Sequence, residues 1–299
     1  MKEIVVISGK GGTGKTSIAA AFACLAESPV VADCDVDAAD LFLVLEPTIL
    51  KEEKFSGGSL AKIRQEKCTG CGTCMEVCRF DAVVEDEQSE KGRFSIDPVA
   101  CEGCGVCSYF CPECAIDFLP VVNGVWFVSD TRVGPMVHAK LGIAEENSGK
   151  LVTLVRSEAQ KIAQTNGHDY LIVDGSPGIG CPVIASITGA DFVVIVTEPT
   201  VAGEHDLDRV HQLTNHFGIP AAVCINKADI NPEMTERIIE QSRRKGITVA
   251  GQIRYDKAFT RAQVEKQTVL EYTDSAVADD IKKVWSCILN QIEGEYPRK

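Results

Sequence analysis

The chain alternates short, uniformly apolar runs with longer segments in which apolar residues recur at helical spacing. Ile4-Val5-Val6-Ile7, Val30-Val31-Ala32, Tyr170-Leu171-Ile172-Val173, Phe192-Val193-Val194-Ile195-Val196 and Ala221-Ala222-Val223-Cys224-Ile225 contain no polar position. Such runs predict strands buried on both faces. Val125-Trp126-Phe127-Val128 has strand character as well. Helical segments are predicted at Ser17 to Ala26, Leu151 to Ala163 and the polar stretch Gly203 to Phe217. Near the C-terminus, Ile281, Val284, Trp285, Ile288, Leu289 and Ile292 form one apolar stripe, which predicts a helix packed on a sheet. Opposite that stripe the polar face mixes Asp279, Asp280, Lys282 and Lys283. From Lys51 to Lys67 the chain turns polar and breaks at Gly57-Gly58-Ser59, which reads as a hinge. The expected fold class is α/β, with a mostly parallel sheet flanked by helices built from residues 1–56 and 121–299. A separate unit, 57–120, is expected between them.

Composition narrows the class. A length of 299 residues corresponds to roughly two domains, and 45% hydrophobic residues suffice for a packed core. A net charge of −13 argues against a nucleic-acid partner, because phosphate backbones need a basic face. No apolar run approaches the roughly 20 residues of a membrane span, and no basic-then-apolar signal precedes the first strand. The expectation is a cytoplasmic protein without stable membrane insertion. Its 14 cysteines are more than packing requires, and nine of them lie between Cys68 and Cys114. A reducing compartment disfavours disulfides, so this concentration reads as metal ligation.

Residues 8–17, SGKGGTGKTS, follow the first apolar run directly. Gly9, Gly14, Lys15 and Thr16 fit the G-x-x-x-x-G-K-[ST] phosphate loop. Glycines at 9, 11, 12 and 14 let the backbone curl so that N–H groups, with those of Thr13 and Ser17, point at phosphate oxygens. The following helix adds its positive dipole end. Lys15 is expected on the β- and γ-phosphates and the Thr16 hydroxyl on Mg²⁺.

The cysteines carry a second motif. Cys68-x2-Cys71-x2-Cys74-x3-Cys78 recurs about 33 residues later as Cys101-x2-Cys104-x2-Cys107-x3-Cys111-Pro112. Each copy has the bacterial ferredoxin spacing, in which three cysteines wrap one cubane and the fourth ligates the other. The expected sets are Cys68, Cys71 and Cys74 with Cys111, and Cys101, Cys104 and Cys107 with Cys78, each holding a [4Fe–4S] cluster. Zinc competes, since CxxC pairs also build zinc ribbons, but it gives no reason for the x2-x2-x3 pattern twice. Arg79 stands where this motif usually has Pro, and Cys114 where Gly is common. Cys114 reads as a spare thiol or a small buried residue, and Cys181 as a packed thiol by default.

Lys10-Gly11-Gly12-Thr13-Gly14-Lys15-Thr16 resembles the deviant Walker A of the MinD, Mrp and nitrogenase iron-protein class. The resemblance implies that Lys10 reaches the nucleotide of an opposite subunit, in a homodimer or a heterodimer with a similar ATPase. Asp33-Cys34-Asp35-Val36-Asp37 resembles the class's D-x-D switch, with Asp35 matching the aspartate that orients the attacking water; Asp33 and Asp37 read otherwise as caps or solvated loop. At Asp40 the class more often has Asn. Asp174-Gly175-Ser176-Pro177-Gly178 matches its Walker B and second switch, which implies Mg²⁺ held by Asp174 through water and γ-phosphate sensing near Gly178. Asn226-Lys227-Ala228-Asp229 looks like the base-reading NKxD motif, with Asn226 against the purine. The Asp of that motif reads guanine, so ATP is favoured with GTP open.

Together these residues resemble a MinD/Mrp-superfamily ATPase with an inserted two-cluster ferredoxin domain. Hung from the first switch, that domain is placed to feel the nucleotide state. The resemblance implies Mg-ATP hydrolysis that gates electron delivery to a redox or iron–sulfur partner. The other reading is an Mrp- or MinD-like carrier or positioning ATPase with structural or cargo clusters.

Overall fold

Apolar runs without alternation need cover on both faces, and a parallel sheet between helices provides it. The computed structural model describes residues 1–85, 93–142 and 148–294. The chain opens with β1 (Lys2–Ser8), α1 (Lys15–Leu25), β2 (Pro29–Asp33), α2 (Leu41–Leu45) and β3 (Thr48–Phe55). The cysteine-rich segment follows as β4 (Gly58–Ile63), α3 (Thr73–Val77), β5 (Val83–Glu85), β6 (Phe94–Ile96), α4 (Val106–Phe110) and β7 (Ile116–Val121). Next come β8 (Gly124–Thr131), β9 (Gly134–Leu141), α5 (Ser148–Asn166), β10 (Tyr170–Pro177), α6 (Cys181–Ile187) and β11 (Phe192–Thr197). The chain closes with α7 (Val201–His216), β12 (Ala221–Asn226), α8 (Pro232–Arg244), β13 (Thr248–Ile253), α9 (Ala258–Val264), α10 (Val269–Tyr272) and α11 (Ala276–Gly294).

Nine strands form one sheet in the order β13-β12-β11-β1-β10-β2-β9-β8-β3. From β13 to β9 each neighbouring pair is parallel. Only Arg132 and Val133 separate β8 from β9, too few for a parallel crossover, so those two strands close an antiparallel hairpin. The sheet is therefore α/β and mostly parallel, as the apolar runs predict. Strand β1 is central, with Val5 opposite Val173 on one side and Val193 on the other. Ile4 and Val6 join the cluster that buries α1 and α11, where Phe22 and Trp285 meet at 5.2 Å between ring centroids. The C-terminal helix thus packs on the sheet as its stripe predicts. Asp280 departs from the expected polar face: it is buried, with Arg254 donating to both its carboxylate oxygens. Among the described residues no helix is long and apolar enough to cross a membrane.

The stretch 51–67, read as a polar hinge, instead contains most of β3 and all of β4. β3 is the edge of the large sheet and nearly every residue in it is exposed. Lys51, Glu52, Glu53 and Lys54 are charges of the kind that protect an edge from further pairing, and they hide the strand's period.

The chain divides into two compact units, one of Met1–Glu53, Val125–Leu141 and Ser148–Lys299, the other of Lys54–Gly124 and Gly142–Asn147. In the second unit β4 pairs antiparallel with β7, Ile63 facing Ile116, and β5 pairs with β6. The internal repeat of the sequence is a repeat of backbone. Gly72 (φ 79°) precedes α3 and Gly105 (φ 75°) precedes α4, each in the left-handed region glycine favours. The core of this unit is small: Ala61, Ile63, Cys74, Val83, Phe94 and Ile116, with Cys68, Cys78, Cys101, Cys107 and Cys111 packed against it.

Candidate functional site

Five adjacent parallel strands, β12, β11, β1, β10 and β2, end on the same edge of the sheet, where ligands of open α/β folds bind. Their ends deliver Asn226, the Thr197–Glu198 turn, the loop after Ser8, Asp174 and Asp33. Lys15 is the first residue of α1 and is buried. Its Nζ lies 2.6 Å from Asp174 Oδ1 and 3.3 Å from Asp35 Oδ2. Burial alone would lower the lysine's pKa, but Asp174 and Asp35 more than reverse this and hold it above the ordinary value. Burial, with Asp174 adding to it, pushes Asp33 well above the usual carboxylate range; burial likewise raises Asp35 against the pull of Lys15. One ammonium thus faces three carboxyl groups. Asp174 Oδ2 is buried and has no hydrogen-bond partner among the described residues. An orphaned carboxylate oxygen in a region of excess negative charge fits a divalent cation, and Thr16 follows Lys15 on the first turn of α1. Asp33 also caps: its Oδ2 accepts from Leu41 N at the start of α2, while Asp37 is exposed.

These raised carboxyls set a pH dependence. Asp33 and Asp35 hold protons more tightly folded than unfolded. Their contribution therefore favours the folded state at low pH and is lost as pH rises through the raised values. Without nucleotide or Mg²⁺, this contribution lowers the first unit's melting temperature as pH rises from about 5.5 to about 8, against the opposite contribution of His138, which burial pushes down to about 4, and of His211. Calorimetry across that range should show this lowering reduced by Asp33→Asn and by Mg-nucleotide.

The loop is pinned from behind. Asn226 Nδ2 donates to Thr13 O at 2.8 Å and Lys227 Nζ to Gly12 O at 3.0 Å. In trans peptides this turns the N–H groups of Thr13 and Gly14 the other way. Gly14 has φ 88°, and a Cβ there would lie 2.4 Å from Asn226 Nδ2. Gly9 is required for another reason: its Cβ would meet Asp206 Cβ of α7 at 2.3 Å. Nothing in the sequence marks Asp206 as a neighbour of the loop. Gly178 (φ 93°) donates from its N–H to Ser8 O at 2.8 Å, which ties the second-switch segment to the loop. Gly11 is exposed and a Cβ there meets nothing within 4 Å. Gly14→Ala is therefore expected to weaken nucleotide binding by about tenfold or more, and Gly11→Ala to leave it near wild type. Titration with a fluorescent nucleotide analogue measures both.

Lys10 sits on its own chain, its Nζ 2.5 Å from Glu198 Oε1. Asn226 is buried behind the loop, and the exposed Asp229 accepts from Tyr255 N at 2.6 Å. Ser17 is half-buried on α1.

In the second unit, Cys68, Cys71, Cys74 and Cys111 line one small cavity. Cys78, Cys101, Cys104 and Cys107 line another. Each cavity thus takes three cysteines from one repeat and the fourth from the other. Ala115 N donates to Cys111 Sγ at 3.3 Å. Burial raises the Cys74 thiol to about 11 and lifts Cys107, while a hydrogen bond with Thr73 lowers Cys71. Among the described residues no three His, Cys, Asp or Glu side chains converge to hold a single metal ion. One zinc would need four sulfurs at about 2.3 Å from a single point. Two sequence readings change here. Cys114 is not a small buried residue but exposed in a left-handed turn (φ 47°), and Cys181 is exposed at the start of α6 instead of packed.

Residues 4–269 match the CobQ/CobB/MinD/ParA nucleotide binding domain. The chain belongs to this family. A Methanocaldococcus jannaschii relative, uncharacterized protein MJ0578, is 34% identical over 235 residues, covering 77% of this chain and 79% of its own. A second from the same organism, uncharacterized protein MJ0579, is 27% identical over 283 residues, 92% of this chain and 93% of its own. The septum site-determining protein MinD of Pyrococcus horikoshii, solved with Mg-ADP, has the same fold: TM-score 0.56 at 13% identity, over 99% of each chain. The edge that gathers Lys15, Asp35 and Asp174 lies within this matched nucleotide binding domain.

Proposed function

We propose that this protein binds and hydrolyses Mg-ATP as a nucleotide-bridged dimer. Two [4Fe–4S] clusters in a ferredoxin-like unit carry electrons to a redox partner under nucleotide control. The observation that carries the redox half is the exchange of the fourth cysteine between the two cavities. A zinc ribbon has no need of that exchange, whereas paired cubanes use it. The small core of the second unit supports the same reading. Among its described residues the apolar cluster is small, and a unit of this size gains stability from a metal or cross-link.

For the nucleotide half, Lys15 holds the β- and γ-phosphates and Asp174 with Thr16 holds Mg²⁺, which supplies charge neutralisation at the phosphates. Asp35 orients the water. The orphaned Asp174 Oδ2 supports this assignment. The MinD of P. horikoshii carries Mg-ADP, which supports an adenine nucleotide. So does Asp229, which has one carboxylate oxygen already on Tyr255 N where guanine reading uses both.

The test is anaerobic. Iron and sulfide analysis should give about eight irons per chain, and the EPR spectrum of the dithionite-reduced protein should shift on adding Mg-ATP. Absence of iron would overturn the cluster assignment. Clusters indifferent to nucleotide would overturn the coupling and leave a carrier or positioning ATPase.

A further inference from the structure

Glu198 lies in the turn after β11 and accepts two cations at once. Lys10 Nζ is 2.5 Å from its Oε1 and Lys227 Nζ 3.0 Å from its Oε2. The carboxylate is only 17% exposed, and Lys10 is 34% exposed. Burial would raise the Glu198 carboxyl, but its two lysines hold it below the ordinary range. Lys227 is itself in a left-handed conformation (φ 56°), with its N–H held by Asn226 Oδ1 at 2.9 Å. Its ammonium also reaches Gly12 O. Glu198 therefore ties a loop lysine to a rigid turn that already grips the loop.

We propose that Glu198 is an intrachain latch: it parks Lys10 on its own subunit and must release it before Lys10 can meet the phosphates of a nucleotide held by a second copy of this chain. This rests on the nucleotide-bridged dimer proposed above. A phosphate arriving from the partner competes with a carboxylate already paired at close range, so the latch sets the threshold for dimerisation. Lys227 remains on Gly12 O after release and keeps the loop in shape. A symmetric dimer opens two latches, so a modest effect per latch enters the association constant twice.

The experiment is sedimentation of wild type, Glu198→Gln, Lys10→Ala and the double variant with Mg and a slowly hydrolysed ATP analogue. Glu198→Gln keeps the side-chain volume and removes the charge. If each latch is worth about threefold, the variant should dimerise at roughly tenfold lower concentration than wild type. Lys10→Ala should stay monomeric with or without the second change, because there is then no lysine to release. In the nucleotide-free monomer, amine acetylation read by mass spectrometry should label Lys10 several-fold faster in Glu198→Gln than in wild type. Unchanged labelling, or dimerisation identical to wild type while Lys10→Ala blocks it, would overturn the latch and leave the bridged dimer standing. If wild type and Glu198→Gln both stay monomeric, the bridged dimer and the latch fall together.

Discussion

Replacing Cys78 by Ala should remove the cluster of the other repeat. Cys78 closes the first x2-x2-x3 set in sequence, yet it lines the cavity of Cys101, Cys104 and Cys107. Anaerobically prepared Cys78→Ala is expected to retain about four of about eight irons. Total iron alone does not say which cluster is lost, but double variants do. Residues serving one cluster are not additive, so Cys78→Ala with Cys107→Ala should still hold about four irons. Cys78→Ala with Cys74→Ala should hold almost none, because those two cysteines line different cavities. If the sets were local, the two results would be exchanged. On the proposed assignment the loss extends to stability: five cysteines pack against the unit's small apolar core, so each cluster would be part of what folds the unit. Stripping both is expected to unfold the second unit while the first retains its melting transition.

Short-range chemistry was legible in the sequence and long-range packing was not. The phosphate loop and the doubled cysteine frame are spacings within a few residues, set by backbone reach, and they need no tertiary information. The apolar runs of β1, β2, β10, β11 and β12 likewise announce strands buried on both faces. By contrast, β3 carries charges because it is an edge, so the feature that protects it conceals it. Asp280 reads as solvent-facing on α11 until Arg254 is placed beside it. Asp33 belongs to a D-x-D signature and also caps α2 eight residues on, which only the fold reveals. Glu198 and Asp206 follow the same pattern. Both touch the phosphate loop across roughly 190 residues of sequence, and no local motif marks either as its neighbour.

Lys15 and Asp174 should respond in opposite senses to removal of their charge, and the contrast tests whether this edge is built for a second cation. Lys15→Ala leaves Asp33, Asp35 and Asp174 buried around an empty position, with no ammonium to offset them. Breaking a buried pair from one side costs about 3–5 kcal/mol. The variant should melt well below wild type, recover as pH falls and the carboxyls protonate, and bind nucleotide at least about tenfold more weakly through loss of a charge-assisted contact. Asp174→Asn removes a negative charge from a crowded carboxylate cluster and can still accept from Lys15. It is therefore expected to melt at or above wild type in the absence of Mg²⁺. On the proposed assignment it should nevertheless lose the stabilisation that Mg-nucleotide gives wild type, because the orphaned Oδ2 would receive the metal's shell. Thermal melts with and without Mg-ATP separate the two variants. If Asp174→Asn were destabilised like Lys15→Ala and still gained normally from Mg-ATP, the aspartate would be a structural partner of Lys15 and not a metal group. The expected pattern, stable but unresponsive, is that of a site whose free-state strain exists to be relieved by a cation.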